Sequence, residues 1–272
     1  MTTNQEMSFD DCCQAFAESY EFSNLPAMRD IERTVLGCDY GGTSWTTRAQ
    51  ARQIVDMLGL QPGLRVLEIG AGSGWPGLFL ADNSGCDVTL LDLPVSALAK
   101  AKVRAVLDGI GDRVRAIAGS GAALPFRDGS FEAISHSDVL CCLPEKTEML
   151  RECRRVAANQ ANMLFSVIAV APGLAEGDHK KAVETGPPFV DTPGDYADML
   201  AECGWRLKDR TDCTAEYVNS MNALVAGFAE SAELSELLGQ DVVREACNKR
   251  RQQIAMIDTG MLVREIFMVT AD

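Results

Sequence analysis

The chain has 272 residues, 47% hydrophobic and 24% charged, enough apolar content for one large domain with a core and too much for a disordered chain. Asp and Glu number 39 against 25 Lys and Arg, a net charge of -14. That balance disfavours a nucleic-acid partner, because phosphate contacts need clustered Lys and Arg. The longest basic run, Lys249-Arg250-Arg251, reads as the solvated face of a helix.

From Met1 to Asp11 the chain is polar and acidic, unlike a signal peptide. No apolar run reaches the ~18 residues of a membrane span. A cytoplasmic protein without membrane attachment is expected. In a reducing compartment the ten cysteines read as free, mostly buried thiols. The pairs Cys12-Cys13 and Cys141-Cys142 lack the CxxC spacing of zinc knuckles, so no metal site is expected.

Residues 1–45, polar with scattered aromatics, read as short helices and loops. Asp39-Tyr40-Gly41-Gly42 signals a turn. Thr46 or Thr47 is placed to cap a helix to about Leu60, whose apolar positions Ala51, Ile54, Val55 and Leu58 recur at helical spacing. Gln61-Pro62-Gly63 ends it. Strands are then expected at 65–69, 87–91, 113–118, 131–135 and 161–170. Helices are expected from Trp75, over 94–107 and over 145–158. Beyond them, 194–203 reads as helix and 205–211 as strand. Segments 221–239 and 242–257 read as helices, and 263–270 as a last strand. The pattern predicts an α/β, doubly wound, Rossmann-like, mostly parallel seven-stranded sheet. An N-terminal helical segment precedes it, and a helical cap is inserted before the last strand. The implied units are a lid segment at 1–45, a core at 46–213, a cap at 214–262 and a final core strand at 263–272.

The most informative stretch is Val66-Leu67-Glu68-Ile69-Gly70-Ala71-Gly72-Ser73-Gly74, an apolar strand running into a glycine-rich turn that opens a helix. Glycines let backbone approach a ligand, and a helix N-terminus offers free N–H groups to an anion. Asp92, at the end of the second strand, suits the hydroxyls of a ribose, with a helix cap as its competing reading. Gly72-x-Gly74-x-x-Gly77 also satisfies a dinucleotide pattern. A carboxylate at Glu68 would repel a pyrophosphate and suit the amino group of a methionine tail, and some 64 residues precede the first strand.

Over about 46–170 these motifs resemble the class I methyltransferases that use S-adenosylmethionine. The resemblance implies that Glu68, Gly70, Gly72 and Gly74 line the amino-acid end of the cofactor. It implies that Asp92 and Leu93 hold the ribose and that Ser120 and Gly121 lie beside the adenine, Ser120 standing where many relatives carry Asp. The segment Ser135-His136-Ser137-Asp138-Val139-Leu140-Cys141-Cys142 looks like the corresponding piece of small-amine methyltransferases of the phosphoethanolamine and sarcosine–dimethylglycine types. Asp138 matches an Asp there, whereas Cys142 stands where a His is common. His136 and Asp138 are therefore the candidate catalytic pair, with a buried strand-end histidine and a helix cap as their competing readings.

Tyr20, Tyr40 and Cys142 are the candidate substrate contacts. Met221, Met256 and Met261 are candidates for an adaptable pocket wall, and Glu184 and Asp191, placed in a loop, for holding a cation. The expected activity is methyl transfer from S-adenosylmethionine to a small molecule, at an amine nitrogen first and at oxygen or carbon of a natural product next, by a monomer or homodimer. The alternatives are an NAD(P)-dependent oxidoreductase, an arsenite-type methyltransferase using thiolates, and a non-catalytic S-adenosylmethionine-binding module.

Overall fold

Five apolar segments separated by helices bury both faces of a sheet, and the structure, a computed structural model describing residues 8 to 271, builds that sheet first. Positions 1–7 of the expected lid, with the polar leader read there, and Asp272 lie outside the described residues. The strands are β1 (Arg65–Ile69), β2 (Asp87–Asp92), β3 (Val114–Ala118), β4 (Phe131–Ser137), β5 (Ala157–Val170), β6 (Trp205–Asp212) and β7 (Leu262–Ala271). Their spatial order is β3-β2-β1-β4-β5-β7-β6. The pairings from β3 through to β5 are parallel, and β7 runs antiparallel to both β5 and β6.

Alternate strand residues sort onto two faces. Val66, Val88, Leu90 and Leu164 meet helices α3 (Arg48–Leu58), α4 (Gly77–Ser84) and α5 (Val95–Leu107). Leu67, Ile69, Ile134 and Phe165 share a core with α6 (Lys146–Val156) and α8 (Tyr196–Glu202). Thr47 is the cap of α3. Its hydroxyl accepts the Gln50 N–H at 3.2 Å, and Gln50 Oε1 accepts the Thr47 N–H at 3.1 Å. Thr46 instead donates its hydroxyl to Ser137 Oγ at 3.0 Å, tying the start of α3 to the end of β4.

The N-terminal residues form α1 (Phe9–Ser23) and α2 (Pro26–Leu36). Three helices separate β6 from β7: α9 (Thr214–Glu230), α10 (Ala232–Leu238) and α11 (Gln240–Asp258). The sequence reading joined α9 and α10 into one helix from 221 to 239. The chain breaks at Ser231, whose side chain leaves α9 and accepts the Leu234 N–H at 3.2 Å to cap α10. A second difference lies after β5, where 176–185, read as loop, forms α7 (Glu176–Thr185) with Glu176 and Asp178 in its first turn. The α9 helix packs closely on α2, since a Cβ built on Gly227 would lie 3.0 Å from Ile31 Cγ2. The N-terminal helices and the late insertion thus form one roof over the C-terminal ends of β1, β2 and β4. Among the described residues no helix is long and apolar enough to cross a membrane.

Candidate active site

The floor of the site is the turn after β1. Gly70 and Ala71 donate their N–H groups to the Leu91 carbonyl at 2.8 and 3.1 Å, which holds the turn against the end of β2. Gly70 and Gly72 have φ of 68° and 51°, a region that L side chains adopt at a cost. Space forbids a side chain as well. A Cβ on Gly70 would collide with Val139, and one on Gly72 would lie 2.7 Å from the Tyr20 ring. Asp92 closes the arrangement. Its carboxylate accepts the Gly72 N–H at 2.6 Å and the Leu93 N–H at 2.7 Å. It also accepts the Tyr20 hydroxyl. Burial raises the Asp92 carboxyl above its ordinary value, against the pull of these donors.

A cavity of about 1230 Å³ opens from this turn. Gly70, Gly72, Asp92, Leu93, Ser120 and Gly121 line one part of it. Glu68 and Gly74, expected beside them, do not. Glu68 is 1% exposed, accepts a hydrogen bond from Ser135, and lies where a Cβ on Gly77 would touch it. Burial lifts its carboxyl to about 7. The charge argument against a pyrophosphate therefore does not operate at Glu68, which faces α4 and not the cavity. Gly74 faces Leu78 and Ala101, so its missing side chain permits helix packing. Ser120 lines the cavity while its hydroxyl accepts the Ala122 N–H at 3.2 Å within its own turn.

The candidate catalytic pair is separated by the end of β4, His136 lying within the strand and Asp138 just beyond it at a positive φ. His136 does not reach the cavity. It is 1% exposed, neither ring nitrogen has a partner, and burial lowers its pKa to about 3. Its ring stacks at 4.6 Å on Phe165, its register partner on β5, and Phe165 stacks at 5.1 Å on Phe267, its partner on β7. Arg210 of β6 completes the row, its guanidinium 5.0 Å over Phe267. The expectation of His136 as a proton acceptor gives way to a neutral ring in a cross-strand ladder.

Asp138 lines the cavity with its side chain committed elsewhere. It sits at φ 57° and pairs with Arg264 of β7, which is 1% exposed. Arg264 Nε donates to Asp138 Oδ1 at 3.0 Å, and Nη2 donates to Oδ2 at 2.9 Å and to Ser166 Oγ at 2.9 Å. Burial works against the guanidinium, but Asp138 outweighs it and raises the Arg264 pKa. The signal in the sequence was a lone Arg inside the apolar strand 263–270.

Of the other candidates, Tyr20 and Cys142 line the cavity. Tyr20 covers the glycine turn and is engaged with Asp92, so it belongs to the cofactor side of the cavity. Cys142 lies with its sulfur 4.0 Å from Cys141, and that contact together with burial pushes its thiol upward. Tyr40 does not line the cavity. It packs behind the turn, 5.1 Å from Trp75 and under the Arg104 guanidinium at 4.6 Å. Met221, Met256 and Met261 belong to the core, and Met28, Leu224, Val225 and Phe228 form the apolar wall in their place. Glu184, on α7, lines the cavity 3.9 Å from Lys180, and Asp191 pairs with His179 at 3.2 Å.

All ten cysteines are free thiols, eight of them buried. Cys12, Cys13, Cys141 and Cys142 line the cavity, yet no group of three His, Cys, Asp or Glu among the described residues is placed to hold a metal ion. The sequence reading missed Trp45, Tyr217, Arg250 and Gln253, which line the cavity from an early loop and the late helices. Nothing in their local pattern distinguishes them from ordinary helix and loop residues.

Known proteins place this geometry. The family model described as "Methyltransferase domain" matches residues 67–165. A demethylmenaquinone methyltransferase of Renibacterium salmoninarum is 38% identical over 135 residues, 50% of this chain and 52% of the relative. A 27-O-demethylrifamycin SV methyltransferase of Amycolatopsis mediterranei is 28% identical over 171 residues, 61% of this chain and 62% of the relative. The first curated relatives are matched over only 26% to 65% of their own length. Among solved structures, a Haemonchus contortus phosphoethanolamine N-methyltransferase with S-adenosylhomocysteine bound superposes with a TM-score of 0.79 at 16% identity, over 97% of this chain and 60% of that one. At that identity the superposition speaks for the fold. Residues 67–165 thus match a methyltransferase domain, and the glycine turn joined to Asp92 lies within that matched stretch.

Proposed function

We propose that this chain transfers the methyl group of S-adenosylmethionine to oxygen or carbon of a small, largely apolar acceptor. The carrying observation is a single cavity shared by the Gly70–Asp92 turn and an apolar wall of Phe22, Met28, Trp45, Tyr217, Leu224 and Phe228. When bound, the cofactor supplies an activated sulfonium methyl. The chain's own residues fit it. Gly70 and Gly72 leave backbone open to the cavity, Asp92 presents a carboxylate for the ribose, and Ser73 Oγ is a buried hydroxyl without a partner on the same turn. Asp92 accepts from Gly72, Leu93 and Tyr20, and a ribose hydroxyl would share this carboxylate with them. Tyr20 over the turn and the roof of α2, α9 and α11 exclude water from an acceptor aligned for in-line attack.

The amine acceptor implied by the small-amine relatives has less support. Of the carboxylates expected to hold a protonated amine, Asp138 is tied to Arg264 and Asp191 pairs with His179 outside the cavity, which leaves Glu184 and Glu245 as acids on the lining to test. A non-catalytic binding module would lack the acceptor cavity, and the space beside the turn argues against it. Thermal shift with S-adenosylmethionine, S-adenosylhomocysteine and NAD tests the reading. Both sulfur nucleosides are expected to raise the melting temperature by several degrees and NAD to leave it unchanged. The methyltransferase reading fails if neither sulfur nucleoside stabilises the protein. Transfer of labelled methyl to a panel of phenols, enols and amines then separates oxygen and carbon acceptors from nitrogen.

A further inference from the structure

Among the described residues Arg264 and Arg250 both turn inward, and of these two Arg264 has a carboxylate partner. Arg264 is matched by Asp138. Arg250, the middle member of the basic run that reads in sequence as a solvated face, turns from α11 into the cavity. Its guanidinium lies 5.5 Å over the Trp45 ring, and Trp45 stands edge-on to Tyr217 at 5.1 Å. Nη1 donates to Gln253 Oε1 at 2.8 Å, and Gln253 is in turn oriented by donating to the Thr185 carbonyl at 3.2 Å. Among the described residues Arg250 has no other hydrogen-bond acceptor and no acidic partner. Burial lowers its pKa, and the Tyr217 phenol is the group opposing that shift. Its remaining N–H donors therefore have no acceptor among the described residues, an expensive state for a guanidinium, which can lay its stem on apolar surface and keep its head in water.

We propose that Arg250, braced by Trp45 and Gln253 and flanked by the Tyr217 hydroxyl, is the receptor for an anionic oxygen group, a carboxylate or phosphate, on the methyl acceptor. A guanidinium presents a planar fork that matches both anions, and a desolvated site strengthens the pairing. The overall charge of -14 does not draw an anion in, so the preference comes from this local cation alone. The assignment rests on the methyltransferase reading and deepens it. The acceptor is an apolar body that carries an acid group and lies along the aromatic wall with that group at α11.

The test uses the full chain saturated with S-adenosylhomocysteine and four matched probes in calorimetric titration: 2-naphthoate, 2-naphthyl phosphate, neutral 2-naphthamide and cationic 2-naphthylmethylamine. Wild type is expected to bind at least one anion tenfold or more tighter than the amide, and the amine weakest. The ratio of the two anions tells carboxylate from phosphate. Arg250→Gln is expected to abolish the preference, Arg250→Lys to keep part of it, and Arg250→Met to melt no lower than wild type, because a structural ion partner is not being removed. Equal binding of the amide, no binding of either anion by wild type, or a preference that survives in a folded Arg250→Gln protein overturns the proposal. The wild-type comparison decides it even if a variant fails to fold. Failure of S-adenosylhomocysteine itself to bind would instead sink the methyltransferase reading.

Discussion

Arg264 of β7 and Asp138, the residue after β4, are 126 positions apart in sequence and form a two-point ion pair beneath the cavity, at 2.9 and 3.0 Å. The pair does more than cancel charge. Asp138 holds φ 57°, donates its N–H to the Ser166 carbonyl at 2.9 Å, and leads into Val139, which packs on Gly70. Arg264 also donates at 3.4 Å to the Oε1 of Gln50, which completes the capping box of α3 with Thr47. One guanidinium thus ties the last strand, the loop after β4 and the start of α3 to the floor of the site.

Removing one member of this pair leaves the other charged and buried. Arg264→Met and Asp138→Asn are each expected to lower unfolding stability by roughly 3–5 kcal/mol. Asn tolerates the positive φ, which isolates the charge effect. The double variant is expected to recover part of the loss, because a Met and Asn pair carries no desolvated charge. Urea unfolding of the four proteins as a double-mutant cycle measures the coupling. Additive losses would mean that the pair is not an energetic unit.

Glu68 sets a pH dependence of the opposite kind from an ordinary carboxylate. Its folded pKa, about 7, lies above the ordinary 4.5 of the unfolded chain. The folded state therefore favours the protonated acid, and stability falls as pH rises from about 4.5 through 7, then levels. Glu68→Gln keeps an acceptor for Ser135 and carries no charge. It is expected to be more stable than wild type by roughly 3 kcal/mol at pH 8, from ~1.4 kcal/mol per pKa unit, and by far less at pH 5. Urea midpoints at the two values check the difference.

His136 acts in the acid range. Its folded pKa, about 3, lies below the ordinary 6.5, so the unfolded chain binds the proton first. Stability is full above 6.5 and falls as pH drops toward 3. The loss attributable to this residue is about 2 kcal/mol at pH 5. His136→Phe would extend the aromatic row with Phe165 and is expected to flatten that part of the stability curve while leaving methyl transfer intact. A variant that unfolds normally but loses turnover would return His136 to the reaction.

Asp92 joins the glycine turn to the end of β2, where the ribose is proposed to bind. Asp92→Ala removes the acceptor for two backbone N–H groups and the Tyr20 hydroxyl. A tenfold or greater loss of S-adenosylhomocysteine affinity is expected, in line with roughly 1.5–3 kcal/mol for a hydrogen bond to a charged group. Calorimetric titration gives the value, and unchanged affinity would remove Asp92 from the ribose.

Local pattern by itself determined the seven strands, the capped helix before β1, the glycine turn and the acid at the end of β2. Each is written in a short run of residues, as alternation of apolar segments, as a Thr47-x-x-Gln50 box, or as glycines following a strand. What the sequence could not show is which face a side chain takes and what meets it across the fold. One step along β4 puts His136 in the core and the next two carry the chain to Asp138 at the cavity. Glu68 fits a ligand-facing motif yet points toward α4, and Tyr40 fits a lid yet packs behind the turn. Arg250, in the run Lys249-Arg250-Arg251, looks like a surface charge in a string of letters. Only the antiparallel placing of β7 beside β5 brings Asp138 to Arg264, and only the packing of α11 over the early loop sets Arg250 on Trp45 with no acid in reach. The charge sum of -14 spoke in sequence only against a nucleic-acid partner. The tertiary structure adds a cavity-facing Arg250 with no acidic partner among the described residues, and at contact distance such a group acts more strongly than a screened surface excess of opposite sign.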